Sequence, residues 1–131
     1  MALTKTARTL IAASTPCVPG TPQRGRLDMN AVQGGGFLTI KMENGATGPT
    51  DECVCNILVA HNATMPSAAS AGAGSAWKTI ASYGGGTDAN YPTEVGMPID
   101  PSIMCLEVEF TNNTGQDVTV EAYLSELTSA V

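Results

Sequence analysis

The stretch Leu106–Leu127, LEVEFTNNTGQDVTVEAYLSEL, decides the fold. Around its first half Met104, Leu106, Val108 and Phe110 fall on one side of a two-residue period, with Cys105, Glu107 and Glu109 on the other. Its second half alternates Val118, Val120, Ala122 and Leu124 with Thr119, Glu121, Tyr123 and Ser125. That period belongs to half-buried strands, not to helices. Between the halves, Asn112-Asn113-Thr114-Gly115-Gln116 carries turn chemistry, with Gly115 suited to the left-handed position. A loop over 113–115 predicts an antiparallel hairpin pairing Phe110 with Val118, Val108 with Val120 and Leu106 with Ala122. Apolar then meets apolar on each rung. The same register sets Glu107 opposite Glu121, with Glu109 nearby, a repulsion of roughly a few tenths of a kcal/mol. An ion, an arginine from another subunit or plain solvation would relieve it.

Working outward, weaker versions of the pattern recur. Phe37–Glu43 alternates Leu38, Ile40 and Met42 with Thr39, Lys41 and Glu43, and ends at the turn signal Asn44-Gly45. Cys53–Asn62 is almost continuously apolar, as a strand covered on both faces would be. Arg24–Asn30 turns Leu27 and Met29 inward, Ala76–Tyr83 offers a strand around Trp77 and Ile80, and Thr6–Ala13 reads as a first strand or an extended arm. Short strands, Gly/Pro/Asn turns and no helical period predict an all-β protein. The expected architecture is an antiparallel two-sheet β-sandwich, jelly-roll-like, forming one domain over 1–131 with 1–26 as an extended basic N-terminal arm or first strand. Three stretches fall outside the pattern. Thr15–Gln23 holds Pro16, Pro19 and Pro22 and reads as a surface linker, while Ala63–Ala76 and Gly84–Pro101 read as long loops ordered by something outside the domain.

Composition narrows the class. Apolar residues make up 43% of the 131 residues and charged ones only 14%, with Gly 14 and Pro 8. A helical protein would want fewer Gly and Pro, and a disordered one less apolar content. No apolar run approaches the roughly 20 residues of a membrane span, and the start of the chain lacks the long apolar segment of an export signal. The expectation is therefore a soluble chain in a reducing compartment, with Cys17, Cys53, Cys55 and Cys105 as free thiols. Residues 1–41 carry +4 and residues 42–131 carry -10. An acidic body with a basic arm suits docking on an acidic surface, or the arm neutralises its own body. A body of this sign repels phosphate, so nucleic acid is not an expected partner, and without an apolar span neither is a membrane.

The chemistry-bearing residues are few. His61 lies in the most apolar segment with no nucleophile or orienting carboxylate beside it, and reads as a packed ring. Cys53, Cys55, His61 and Cys105 lack zinc-like spacing, since C-x-C on an extended strand does not aim both sulfurs at one ion. The glycine triplets Gly34–Gly36 and Gly84–Gly86 precede no GK[ST] sequence and read as flexible turns. A hydrolase built on Glu107, Glu109 and Glu121 would want an aromatic-lined cleft, and the chain has only one Trp, three Tyr and two Phe. No enzymatic activity, cofactor or metal is expected.

RTLIAAS at Arg8–Ser14, GGGFLTIKMENGATGPT at Gly34–Thr50 and the Leu106–Leu127 stretch together resemble small virion proteins of tailed bacteriophages. The resemblance implies a β-sandwich, often jelly-roll-like, that decorates or cements the capsid exterior after assembly in the host cytoplasm. Its implied partners are the major capsid protein and further copies of itself in a homo-oligomer, dimer or trimer. In this reading Lys5, Arg8, Arg24 and Arg26 dock on the shell. Met65, Trp77, Tyr91, Met97 and Ile99, in or beside the two long loops, then order against the capsid or sister subunits. The alternative is a tail- or fibre-associated or head–tail appendage protein that binds a host surface glycan or another virion protein.

Overall fold

Period-two alternation produces eight strands in the computed structural model, which describes residues 3–32, 34–67 and 76–130. They are β1 (Leu3–Cys17), β2 (Gln23–Asp28), β3 (Gly36–Asn44), β4 (Val54–Ala60), β5 (Trp77–Gly84), β6 (Pro92–Ile99), β7 (Cys105–Thr111) and β8 (Val118–Ala130). No helix occurs among the described residues. One four-stranded sheet runs β1-β8-β3-β6 and the other β2-β7-β4-β5. Antiparallel pairing joins β1 to β8, β2 to β7, β3 to β6 and β4 to β5. The chain is thus one long hairpin rolled upon itself, stitched by β3–β8 and β4–β7 pairs. This is the jelly-roll arrangement of the β-sandwich.

The inward faces fall where the alternation puts them. Leu38, Ile40 and Met42 of β3 and Val118, Val120, Ala122 and Leu124 of β8 meet Cys55, Ile57 and Val59 of β4 and Leu106, Val108 and Phe110 of β7 in one core. Between β1 and β2 the layers approach so closely that a Cβ at Gly25 would sit 2.4 Å from the carbonyl oxygen of Leu10. Only glycine fits that crossing.

The expected β7–β8 hairpin does not form. The two strands lie in different sheets, and Phe110, Val108 and Leu106 pair with Cys55, Ile57 and Val59 instead. Gly115 does take the left-handed conformation, at φ 84°, but Asn112 takes it too, at φ 78°. Asn113 explains the wider connection. Its buried amide donates to the carbonyls of Cys17 at 2.8 Å and Gln116 at 2.9 Å, tying the turn to the end of β1. Thr114 meanwhile donates its hydroxyl to Asp51 at 2.8 Å, tying it to the β3–β4 connection. With the hairpin goes the Glu107–Glu121 confrontation: Glu107 stands opposite Arg26 and Leu58, and Glu121 opposite Lys41.

Other expectations are corrected too. Gly84–Pro101 is not one long loop, because Pro92–Ile99 forms β6 at the sheet edge, where Pro92 and Pro98 leave no ladder bond unmade. Met97 and Ile99 are accordingly strand residues packed on the core. Residues 3–17 take the first-strand alternative, with β1 and β2 as edges of the two sheets. Of Thr15–Gln23, the first three residues belong to β1 and the last to β2. Gly34–Gly36 is held rather than flexible: Gly34 donates to the Leu127 carbonyl at 3.2 Å and Leu127 to the Gly35 carbonyl at 3.0 Å, extending the β3–β8 ladder. Gly84–Gly86 is held likewise, by Gly85 N–H on the Cys53 carbonyl at 2.8 Å and Gly86 N–H on the Glu52 carboxylate at 2.9 Å. His61 falls just past the end of β4 and is exposed, not packed. Of the expected loop Ala63–Ala76, residues 68–75 lie outside the described residues.

Candidate docking face

The outer faces of the two sheets differ. On the β2-β7-β4-β5 sheet, register aligns Arg24, Glu109, Asn56 and Ser82 across four strands. They bond in that order: Arg24 grips one Glu109 oxygen through Nε at 2.9 Å and Nη2 at 2.7 Å, Asn56 donates to the other at 3.2 Å, and Ser82 donates to Asn56. The next row sets Glu107 between Arg26 and Leu58. Glu107 is 0% exposed, and among the described residues neither of its carboxylate oxygens has a hydrogen-bond partner. Arg26 turns away to the Pro66 carbonyl at 3.2 Å. Burial pushes the Glu107 carboxyl up to about 7, against the pull of the Arg24 and Arg26 guanidiniums.

The third row explains how this face is closed. Cys105, Ala60 and Trp77 form a second apolar cluster with Leu58, against which Met65 and Met104 pack. Trp77 Nε1 donates to the Ser67 carbonyl at 2.9 Å, and Asn30 donates to the carbonyls of Asn62 and Ala63. Residues 62–67 thus strap the outer face through backbone carbonyls, which small side chains leave accessible. The continuous apolarity of Cys53–Asn62 signals a strand covered on both faces, as found here, but not that residues 62–67 of the same chain supply the outer cover.

The β1-β8-β3-β6 sheet keeps its outer face open among the described residues. Thr9, Tyr123, Thr39 and Gly96 make one row, and Ala7, Ser125, Phe37 and Pro98 the next. Phe37 is 50% exposed, and its ring lies over Gly96, where a Cβ would come within 2.8 Å of it. A shallow hollow beside it is lined by Lys5, Gly36, Phe37, Ser125 and Leu127. A second, polar hollow holds Thr39, Lys41, Glu94, Gly96 and Glu121. Here Lys41 stands between Glu121 and Glu94 and pairs with Glu43 at 3.1 Å, so the carboxylates hold its ammonium pKa above the ordinary value. An aromatic, a lysine and small polar residues on a flat four-stranded face equip it for protein contact.

The residues expected to dock are dispersed. Lys5 is exposed on this open face, whereas Arg8 binds buried Glu126 at the sandwich end through Nε at 2.9 Å and Nη2 at 2.8 Å. Arg24 and Arg26 lie on the strapped face, engaged as above. Met65 and Trp77 pack within the chain, Met97 and Ile99 belong to the core, and Tyr91 is 53% exposed at the other end of the open sheet's edge strand. Cys53 and Cys55 face the main core while Cys105 faces the strapped side, so the cysteines and His61 do not converge as ligands. Phe37 is the residue the sequence reading passed over. Its signal was present: an aromatic on the polar side of an alternating strand.

No family model matches the chain, and no curated protein matches it. Among solved structures, the SPBc2 prophage-derived protein YomS aligns with a TM-score of 0.45 at 18% identity, covering 95% of this chain and 96% of that one. The Yersinia pseudotuberculosis-derived mitogen aligns with a TM-score of 0.45 at 10% identity, over 99% of this chain and 91% of that one.

Proposed function

We propose that this chain is a structural protein of a tailed-bacteriophage virion that decorates or cements the capsid exterior, binding major capsid subunits and neighbouring copies of itself. The observation that carries the reading is the asymmetry of the sandwich: one outer face is strapped by the chain itself and the other is left open, with Phe37 and Lys5 beside a hollow. A protein that coats a shell needs one broad contact face, and high copy number on a symmetric surface supplies avidity without a single tight contact. The sequence resemblance to small virion proteins supports the same assignment. Docking places Phe37 against an apolar site on the shell, while Lys5 meets an acidic group there. The test is co-sedimentation with undecorated capsids of wild-type protein, Phe37→Asp and Lys5→Glu. Wild type should pellet with capsids, Phe37→Asp should lose at least about tenfold in affinity, and Lys5→Glu should weaken binding most at low salt. Equal binding by all three proteins would overturn the assignment of the face, and failure of folded wild type to bind would overturn the capsid role.

A further inference from the structure

Docking through the Phe37 face leaves the strapped face without a role. On that face Glu107 is buried, and among the described residues neither of its oxygens accepts a hydrogen bond. Arg26 stands directly opposite it on β2 but donates Nη1 to the Pro66 carbonyl of the strap at 3.2 Å. Opposed residues on paired strands have Cβ atoms about 5 Å apart, so turning the Arg26 side chain alone carries its guanidinium from Pro66 to Glu107. Arg24 is committed to Glu109. The other charged or titratable groups around this row are Asp28 on β2, Lys78 on β5 opposite Val59, and exposed His61 just past β4, which itself carries no charge. Residues 62–67 have no ionisable side chain, so a change of charge reaches the strap through Arg26. The strap is further tied by its Asn62 and Ala63 carbonyls to Asn30 and by its Ser67 carbonyl to Trp77 Nε1, with Met65 packed on the apolar cluster.

We propose that Glu107 and Arg26 form a charge-operated latch on the strap: with Glu107 protonated, Arg26 holds residues 62–67 down at Pro66, and with Glu107 ionised, Arg26 turns to pair with it and the strap loosens over Trp77. A neutral carboxyl tolerates a dry site, whereas an ionised one there demands a counter-charge. Arg26 is the cation that can supply it without breaking another ion pair, since Arg24 would have to abandon the buried Glu109. In its present position Arg26 bonds Pro66 and leaves both Glu107 oxygens unmet, so serving Glu107 requires it to move. Burial raises the Glu107 carboxyl from 4.5 to about 7 against the pull of Arg24 and Arg26. The latch is therefore shut below about pH 7 and loosens above it. Loosening uncovers Trp77, Leu58 and Met65, an apolar surface on the side of the sandwich away from Phe37.

The experiment uses the full chain, whose one Trp is bonded to the strap. Trp77 emission and its quenching by acrylamide are followed from about pH 5.5 to about pH 8.5, well below the melting temperature. Far-ultraviolet circular dichroism checks that the sheets persist. The latch predicts a red-shifted emission and a quenching constant at least about twofold higher at the alkaline end, with the sheet signal unchanged. Glu107→Gln should stay as resistant to quenching at the alkaline end as at the acid end. Arg26→Met, which cannot hold Pro66, should be more quenchable than wild type at the acid end, and His61→Gln should keep the wild-type transition. Quenching of the wild type that does not change with pH, a transition that survives in Glu107→Gln, or one that coincides with loss of the sheet signal would each overturn the latch. Hydrogen exchange at Trp77 Nε1, corrected for the intrinsic effect of pH, reads the bond to the Ser67 carbonyl in the wild type alone. Its protection should fall as Glu107 ionises, and constant protection would overturn the proposal even where a variant does not fold.

Discussion

At the scale of the residue, Glu107 is costly and Phe37 stands half in water over Gly96, and each yields a prediction. Glu107 is buried with no partner for either oxygen among the described residues, and burial pushes its carboxyl up from 4.5 to about 7. The folded state therefore holds a proton to higher pH than the unfolded chain does, and stability must fall as pH rises from about 4.5 through about 7. The full loss is about 3 kcal/mol. Glu107→Gln, which keeps the shape without the charge, should flatten the melting-temperature profile between pH 5 and 8 and be the more stable protein at pH 8. Parallel profiles for the two proteins would contradict this. Phe37 leaves half its surface in water, so Phe37→Ala should change unfolding free energy by no more than about 1 kcal/mol in urea while weakening capsid binding. A large stability loss would mean that Phe37 serves the fold rather than the contact.

At the scale of the element, inward and outward faces were legible and neighbours were not. The alternation in Leu38–Met42, Leu106–Phe110 and Val118–Leu124 named the core residues that the structure buries. But a period of two says which face a side chain takes, not which strand lies beside it. Phe110 and Val118 satisfy the pattern equally by pairing side by side or by meeting across the sandwich, and the buried Asn113 amide decides for the second. Asn113→Ala would orphan the Cys17 and Gln116 carbonyls and should cost about 2 kcal/mol or more in denaturant unfolding. β6 stayed hidden because Pro92, Gly96 and Pro98 are loop formers everywhere except at a sheet edge or beneath an aromatic ring. That β4 is covered on both faces was legible in the apolar run Cys53–Asn62, but the strap that covers it was not, because it acts through carbonyls that every residue possesses. Gly25→Ala probes the closest crossing of the two sheets. The new methyl group meets the Leu10 backbone, so a loss of about 1–3 kcal/mol is expected, whereas Gly45→Ala, with nothing within 4 Å, should be neutral or slightly stabilising. Equal effects at the two glycines would contradict the crossing.

At the scale of the whole molecule, the sequence carried the class, an all-β sandwich of two antiparallel sheets, while the choice of face came only with the topology. The basic N-terminal residues suggested a free arm, yet Arg8 and Arg24 are tied to buried carboxylates and β1 and β2 are sheet edges. Removing residues 1–26 would therefore dismantle both sheets rather than release an arm. Among the described residues, the face left open is that of the β1-β8-β3-β6 sheet. The measurement that bears on it most directly is an image reconstruction of capsids saturated with the protein. The account predicts density over the shell into which the sandwich fits with the Phe37 face turned toward capsid subunits and the strapped face outward. Density that fits only with the strapped face inward, or found at the tail and not on the shell, would contradict it.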